Sequence, residues 1–91
     1  MAQVRFTNHL KRFFPALTNG EIVAGATVAE IVTTLDQRYP GLGSYLVDER
    51  GALRKHVNIF LGDTLISDKQ HLQDAVNDHT TIFIMQALSG G

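Results

Sequence analysis

The chain has 91 residues, a formal net charge of −1 and 44% hydrophobic residues, which is typical of one small globular domain and lacks the basic excess of most nucleic-acid-binding proteins. It contains no cysteine, which excludes a disulfide framework, an iron–sulfur cluster, a zinc site with thiolate ligands and a cysteine nucleophile. No apolar segment reaches the roughly 18 residues of a membrane span or forms a signal-peptide core, so we expect a cytoplasmic protein that does not bind membranes.

Two short strands are predicted near the start of the chain. Residues Val4 to Thr7 alternate apolar and polar side chains, which is typical of a strand with one buried face. A short apolar run, Ile22 to Ala24, follows Asn19-Gly20, a pair that favours the positive φ angles of a chain reversal. The pattern predicts an opening β-hairpin with a long loop.

The segment "TVAEIVTTLDQRYPG" predicts the main helix. Thr27 and Glu30 have the spacing of a capping box, in which each side chain bonds a free backbone N–H at the helix start. Five apolar residues then fall on one face at helical spacing: Val28, Ile31, Val32, Leu35 and Tyr39. Pro40 disfavours helical geometry at the preceding residue, so we expect the helix to end there.

The second half of the chain predicts a short helical turn around Tyr45–Leu46 and then three strands. In "HVNIFL", Val57, Ile59 and Leu61 share one face, while Asn58 and Phe60 share the other. Gly62-Asp63 predicts a turn, and Thr64 to Ile66 a short returning strand. The segment "TTIFIM" is β-branched and aromatic, so it predicts a well-buried final strand.

The predicted order of elements is β-β-α-β-β-β. One amphipathic helix must bury its apolar stripe against one face of a sheet, which gives a two-layer α+β domain. We expect the first and last strands to lie side by side at the centre of the sheet. The domain covers residues 1–85, and residues 86–91 form a flexible tail that ends in Gly90-Gly91.

The side chains give little sign of catalysis or of a bound cofactor. His9, His56, His71 and His79 lack metal-site spacing, and no cysteine or group of carboxylates completes a site. No segment has the nucleophile-elbow pattern of a serine hydrolase or a glycine-rich phosphate-binding pattern. We therefore expect no metal and no cofactor bound by the chain itself, and a protein that is not a stand-alone enzyme.

With these sites excluded, the terminal Gly90-Gly91 is the remaining candidate for a chemical role. At ordinary glycine frequency such an ending occurs by chance in about one chain in 200. Glycine has no Cβ, so the pair can pass through a narrow channel where side chains would clash. The carboxylate of Gly91 is a poor electrophile when ionised, so another protein must activate it.

The strand order, the capped helix, the segment "HVNIFLGDTLI" and the ending "FIMQALSGG" together resemble the β-grasp sulfur-carrier family. This ubiquitin-like group includes the molybdopterin-synthase small subunit and the thiamine sulfur carrier, and the resemblance covers essentially the whole chain. Length and "HVNIFLGD" are most similar to the carriers of an alternative cysteine-biosynthesis route. The resemblance implies a mixed sheet of four to five strands with one main helix across one face.

The resemblance also implies a function. An E1-like adenylyltransferase/sulfurtransferase would use ATP to adenylate Gly91, and a sulfur donor would convert the adenylate to a thiocarboxylate. A synthase, either a cysteine synthase or the molybdopterin-synthase large subunit, would accept the sulfur. Two alternatives stay open: a ubiquitin-like modifier that forms isopeptide bonds through Gly91, and a β-grasp interaction domain with incidental glycines.

A carrier also needs a docking surface. If Val57, Ile59 and Leu61 face the helix, Phe60 points outward from the sheet, and exposed aromatic side chains often contact partners. Phe60 is therefore the candidate partner-binding residue, with Gly91 as the reacting residue and Gly90 as the one that aids threading. Two segments depart from the family pattern: Gln86 stands where tails often have proline, and Asn77-Asp78-His79 replaces a common Asp-Gly-Asp turn.

Overall fold

The computed structural model describes residues 1–18 and 20–86. Within them the chain forms five strands and three helices, in the order β1 (Ala2–Phe6), α1 (Asn8–Phe13), β2 (Glu21–Val23), α2 (Val28–Arg38), α3 (Leu42–Leu46), β3 (Val57–Leu61), β4 (Thr64–Leu65) and β5 (Thr81–Gln86). The predicted order of strands around one main helix is confirmed, and α3 lies at the predicted helical turn. None of the helices in this part of the chain is long and apolar enough to cross a membrane.

The five strands form one mixed sheet in the order β2-β1-β5-β3-β4. The first and last strands are neighbours and run parallel, with Val4 opposite Ile82 and Phe6 opposite Ile84. The other neighbours in the sheet pair antiparallel. The predicted central pair of strands is confirmed.

The core lies between the inner face of the sheet and α2. Strand alternation directs one set of aliphatic side chains inward, and helical spacing directs another set down from α2. All of the following are buried: Val4, Ile59, Ile82 and Ile84 from the sheet, and Val28, Ile31, Val32 and Leu35 from α2. Full burial of such a side chain contributes about 1.5–3 kcal/mol, so this layer supplies most of the driving force for folding.

The ends of α2 lie where the sequence predicts them. Thr27 is the N-cap, and its Oγ1 accepts a hydrogen bond of 3.2 Å from the N–H of Glu30. In a standard capping box the Glu30 carboxylate would accept a hydrogen bond from the N–H of the cap residue, Thr27. Here it accepts one of 3.0 Å from the N–H of Ala26, the residue before the cap. At the other end, the N–H of Tyr39 closes the last turn on Leu35, and Gly41 has a φ of +98°, a left-handed conformation that favours glycine.

Helix α1 is an element that the sequence analysis does not predict. The predicted opening hairpin is confirmed as an antiparallel pair, β1 with β2, but its connection contains α1. This helix has only six residues, of which Leu10 is fully buried. A helix this short is unstable alone, so packing against β5 stabilises it. A chain reversal is predicted at Asn19-Gly20. Gly20 has the positive φ that this requires, +78°, and Asn19 lies outside the described residues.

Candidate functional site

Gly90 and Gly91, the residues expected to carry the chemistry, lie outside the described residues. Strand β5 continues through Gln86, the last described residue, which the sequence predicts to belong to the tail. Five residues can extend at most about 17 Å, so Gly91 lies within about that distance of Gln86.

Gln86 is held by side chains from two other segments. The hydroxyl of Tyr45 donates a hydrogen bond of 2.9 Å to Oε1 of Gln86. The backbone N–H of Gln86 points at Oγ1 of Thr7 at 3.5 Å, the long limit of such a bond. We call Thr7, Tyr45 and Gln86 the tail root, because they join the end of β1, helix α3 and the end of β5.

Three rings surround Tyr45 at the tail root. Its ring centroid lies 5.4 Å from that of Phe13, 5.8 Å from that of Phe14 and 5.9 Å from that of His56. The contacts with Phe14 and His56 are edge-to-face, a favoured arrangement of aromatic pairs. Phe13 is 56% exposed, so this group of rings reaches the surface beside the point where the tail begins.

The outer face of the sheet carries apolar side chains next to the tail root. Strand register places Leu65, Phe60, Phe83 and Arg5 in one row across four strands. Phe83 is 36% exposed, and Met85, two residues further along β5, is 42% exposed. Val57 and Ile59 of β3 point into the core, so Phe60 between Ile59 and Leu61 lies on the outer face, where it is half-buried. We call Phe60, Phe83 and Met85 the outer patch.

The prediction of a well-buried final strand is wrong for one face of β5. Ile82 and Ile84 are buried, whereas Phe83 and Met85 between and after them are exposed. The residue types are apolar on both faces, which hides the alternation from sequence reasoning. Period-two spacing alone, applied to "TTIFIM", would have placed Phe83 and Met85 outward beside Phe60.

The carboxylates with shifted pKa values serve the fold. Burial raises the pKa of Glu21, but hydrogen bonds from Tyr39, Arg38 and Thr18 and the charge of Arg38 outweigh it and hold the pKa below its ordinary value. The Tyr39 hydroxyl lies 2.6 and 2.8 Å from the two carboxylate oxygens, which ties the end of α2 to β2. Correspondingly, the hydrogen bond to Glu21 raises the pKa of Tyr39.

Two further aspartates close turns. Backbone N–H groups of Ala52 and Arg50 lower the pKa of Asp48, and those of His71, Gln73 and Gln70 lower the pKa of Asp68. Both carboxylates thus stabilise loops. Within residues 1–18 and 20–86, His, Asp and Glu form no group of three or more that could hold a metal ion.

Comparison with known proteins adds to this geometry. A model of the ThiS family matches residues 4–91. The sulfur carrier protein CysO of Mycobacterium tuberculosis is 29% identical over 70 residues, which cover 75% of each chain.

Solved structures share the fold. A chain of the Amycolatopsis orientalis BexX/CysO complex has a TM-score of 0.83 and 26% identity, with both chains fully covered. SAMP1 of Haloferax volcanii has a TM-score of 0.75 at 19% identity, covering 99% of this chain and 98% of its own. The β-grasp fold expected from the sequence is confirmed.

Proposed function

Because the chain belongs to the ThiS family, we propose that it is a sulfur carrier whose terminal carboxylate, on Gly91, is activated by a partner enzyme. The observation that supports this most directly is the extent of the family match, which runs through to residue 91 and so includes both glycines. The relative from M. tuberculosis is named a sulfur carrier protein. The chain acts in this scheme as a co-substrate, and the enzymes are its partners.

The proposed chemistry has two steps. An E1-like enzyme joins a carboxylate oxygen of Gly91 to the α-phosphorus of ATP and releases pyrophosphate. Hydrosulfide from the sulfur donor then attacks the acyl carbon and displaces AMP, which leaves with one of the former carboxylate oxygens. The resulting thiocarboxylic acid loses its proton to give the thiocarboxylate. Activation is required because the free carboxylate is ionised at neutral pH and resists nucleophilic attack.

Gly90 and Gly91 suit passage into an enclosed active site. Neither has a Cβ, so the backbone can adopt any conformation the channel imposes. The folded domain is too wide to enter such a channel with the glycines. The reacting atoms of the activating enzyme must therefore lie within about 17 Å of Gln86 when the domain is docked. Reaction at the tail and docking of the domain are thus separate contacts with the same partner.

The outer patch is the proposed docking surface, with Phe60 as its proposed anchor. Register places Phe60 opposite Phe83, and Met85 extends the patch toward the tail root. Aromatic side chains that contact a partner at the middle of an apolar patch commonly contribute most of the binding energy. The same patch can serve the activating enzyme and the sulfur acceptor in turn.

A cysteine synthase is the proposed sulfur acceptor, with the molybdopterin-synthase large subunit as the alternative. Support for the first comes from the "HVNIFLGD" segment and from the match to CysO proteins. The two acceptors are distinguished by incubating the thiocarboxylate form with each enzyme and its co-substrate. The true acceptor consumes the thiocarboxylate: the carrier's mass shifts to that of a covalent adduct with the co-substrate or, once water hydrolyses the acyl–sulfur bond, back to that of the carboxylate.

Intact-mass measurement tests the carrier function. Incubation with an E1-like enzyme, ATP and a sulfur donor is expected to raise the mass by one exchange of oxygen for sulfur. Gly91→Ala should abolish the change, whereas Ser89→Ala, two residues away, should preserve it. No change in the wild-type mass with activating enzymes of several sulfur-carrier pathways would contradict the proposal.

Protein modification is the alternative that begins with the same adenylation. Its product would be an isopeptide bond between Gly91 and a lysine of another protein. A cell lysate probed for this chain would then show a ladder of heavier species that resists reduction and hydroxylamine. A pure carrier would show only the free chain, and an interaction domain would keep its activity after deletion of Gly90 and Gly91.

A further inference from the structure

The last described residue of the sheet is joined to a distant helix through its side chain. The Tyr45 hydroxyl donates to Oε1 of Gln86 at 2.9 Å, and both residues are half-buried. These residues are separated by 41 positions in the chain. The bond therefore fixes the end of β5 relative to α3, beyond what strand pairing with Val57 achieves.

The Tyr45 hydroxyl itself has a defined position. Rings of Phe13, Phe14 and His56 pack around the tyrosine ring from two other segments. Its backbone N–H bonds to the carbonyl of Gly41 at 3.1 Å, at the start of α3. The ring cannot follow a displaced Gln86 without breaking these contacts, so it acts as a fixed donor.

Helix α3 is in turn anchored to α2. The Asp36 carboxylate accepts a hydrogen bond of 2.8 Å from the N–H of Gly43. A Cβ at position 43 would lie 3.0 Å from the side chain of Asp36, so the close approach of the two helices requires glycine there. The chain of contacts thus runs from the core helix through α3 and Tyr45 to Gln86.

We propose that Tyr45 is a positioning residue: by holding Gln86, it fixes the point on the domain from which the five residues up to Gly91 must reach the activating enzyme. This inference rests on the proposed function. Met85 of the outer patch directly precedes Gln86 in β5, so a partner docked on the patch lies next to a residue whose position the Tyr45 bond already fixes from the opposite face of the sheet. Preorganisation of this kind lowers the entropic cost of binding.

Loss of the hydroxyl has a predictable size and kind of effect. One hydrogen bond of ordinary net strength corresponds to about a threefold to tenfold change in an equilibrium constant. The change should appear in KM for the carrier, because the free carrier loses preorganisation. The kcat of adenylation should be unchanged, since Gly91 reacts in the same enzyme site once it is bound.

Tyr45→Phe is the informative variant, and Tyr39→Phe is its matched control. Both remove one hydrogen-bonded hydroxyl, but that of Tyr39 bonds to Glu21, away from the tail root. Two measurements are needed: amide hydrogen exchange at Gln86, and KM and kcat of adenylation with the full chain. Tyr45→Phe should speed exchange at Gln86 and raise KM by about threefold to tenfold, and Tyr39→Phe should do neither.

Variants of Gln86 test the same bond from its other end. Gln86→Leu, which removes the acceptor, should raise KM as much as Tyr45→Phe, and the double variant should add nothing further. Gln86→Glu retains an acceptor oxygen and should restore a KM near that of the wild type. Full additivity of the two single changes, or failure of Gln86→Glu to rescue, would overturn the proposal.

The outcomes separate this inference from the proposed function. If no activating enzyme adenylates the wild type, the proposed function fails, and hydrogen exchange still decides whether Tyr45 holds Gln86. Unchanged exchange at Gln86 in Tyr45→Phe would overturn the inference while leaving sulfur transfer intact. A KM for Tyr45→Phe no higher than that for Tyr39→Phe would overturn it equally.

Discussion

Two adjacent residues of β3 show how differently the two faces of the sheet are used. Ile59 is completely buried under α2, whereas Phe60 points to the opposite side and is half-buried on the outer patch. The buried residues of the inner face are apolar, all of them aliphatic except Phe6, and the chain itself covers them. The outer face combines Phe83, Met85 and Arg5 and has no covering layer among the described residues. Adjacent residues of one strand thus face the core and the proposed docking surface.

The largest expected effect is on the inner face. Ile59→Ala should reduce the free energy of unfolding by about 2–5 kcal/mol, because it leaves a cavity in the closed layer beneath α2. Urea denaturation measures it. Ile22→Ala, the same change at a side chain 49% exposed on the outer face, should cost no more than about 0.5 kcal/mol. Similar losses of unfolding free energy in the two variants would contradict the view that only the inner face of the sheet stabilises the fold.

The next effect is on recognition. Phe60→Ala should weaken binding to the activating enzyme by about tenfold or more, as expected of an aromatic residue at the centre of an interface. Its stability should fall less than that of Ile59→Ala. Titration calorimetry measures the affinity, with Ile22→Ala as the control outside the patch. Equal losses of affinity would show that recognition extends over the whole outer face.

A smaller effect concerns how α2 is held over the inner face. Thr27→Ala should cost about 1 kcal/mol, because it removes the acceptor for the N–H of Glu30 at the helix start. Thr33→Ala is the control, since the hydroxyl of Thr33 bonds back to the carbonyl of Ala29 within the helix and caps nothing. Thermal unfolding of both variants tests the assignment, and a larger loss for Thr33→Ala would refute it.

An effect of similar size at neutral pH disappears in acid. Glu21→Gln should cost about 1 kcal/mol at neutral pH, because a charged acceptor of three side chains becomes neutral. The folded pKa of Glu21 is below its ordinary value of 4.5, so its stabilising effect is fully present above that value and is lost as pH falls through the folded pKa. Denaturation across this range should show the two proteins converging in acid. A gap that stays constant would contradict the assignment.

Local signals in the sequence account for the elements that could be predicted. Thr27, Glu30 and Pro40 lie within or next to α2, so both ends of the helix are encoded where they occur. Period-two alternation likewise placed Phe60 on the outer side of β3. Helix α1 has no comparable signal, because its six residues depend on packing against β5. Tertiary contacts decide its structure, and the sequence near it does not.

The tail root could not be predicted for a related reason. Tyr45 and Gln86 are 41 residues apart, and nothing near either one indicates the other. In the sequence, Gln86 is distinguished only because it replaces the proline common in the family, and no neighbouring residue indicates a partner for it. Side-chain bonds between distant segments depend on the full topology, and here on the place of β5 beside β3 in the sheet.

The parallel pairing of β1 with β5 also determines what can be attached to the molecule. Met1 lies beside the start of β5, where its ammonium group bonds to Asp78 at 2.9 Å. Gln86 lies at the opposite end of the same strand. A fluorophore, a surface linker or a fused domain joined before Met1 would therefore emerge on the side away from the tail. The protein could be immobilised by that end while enzymes approach the other.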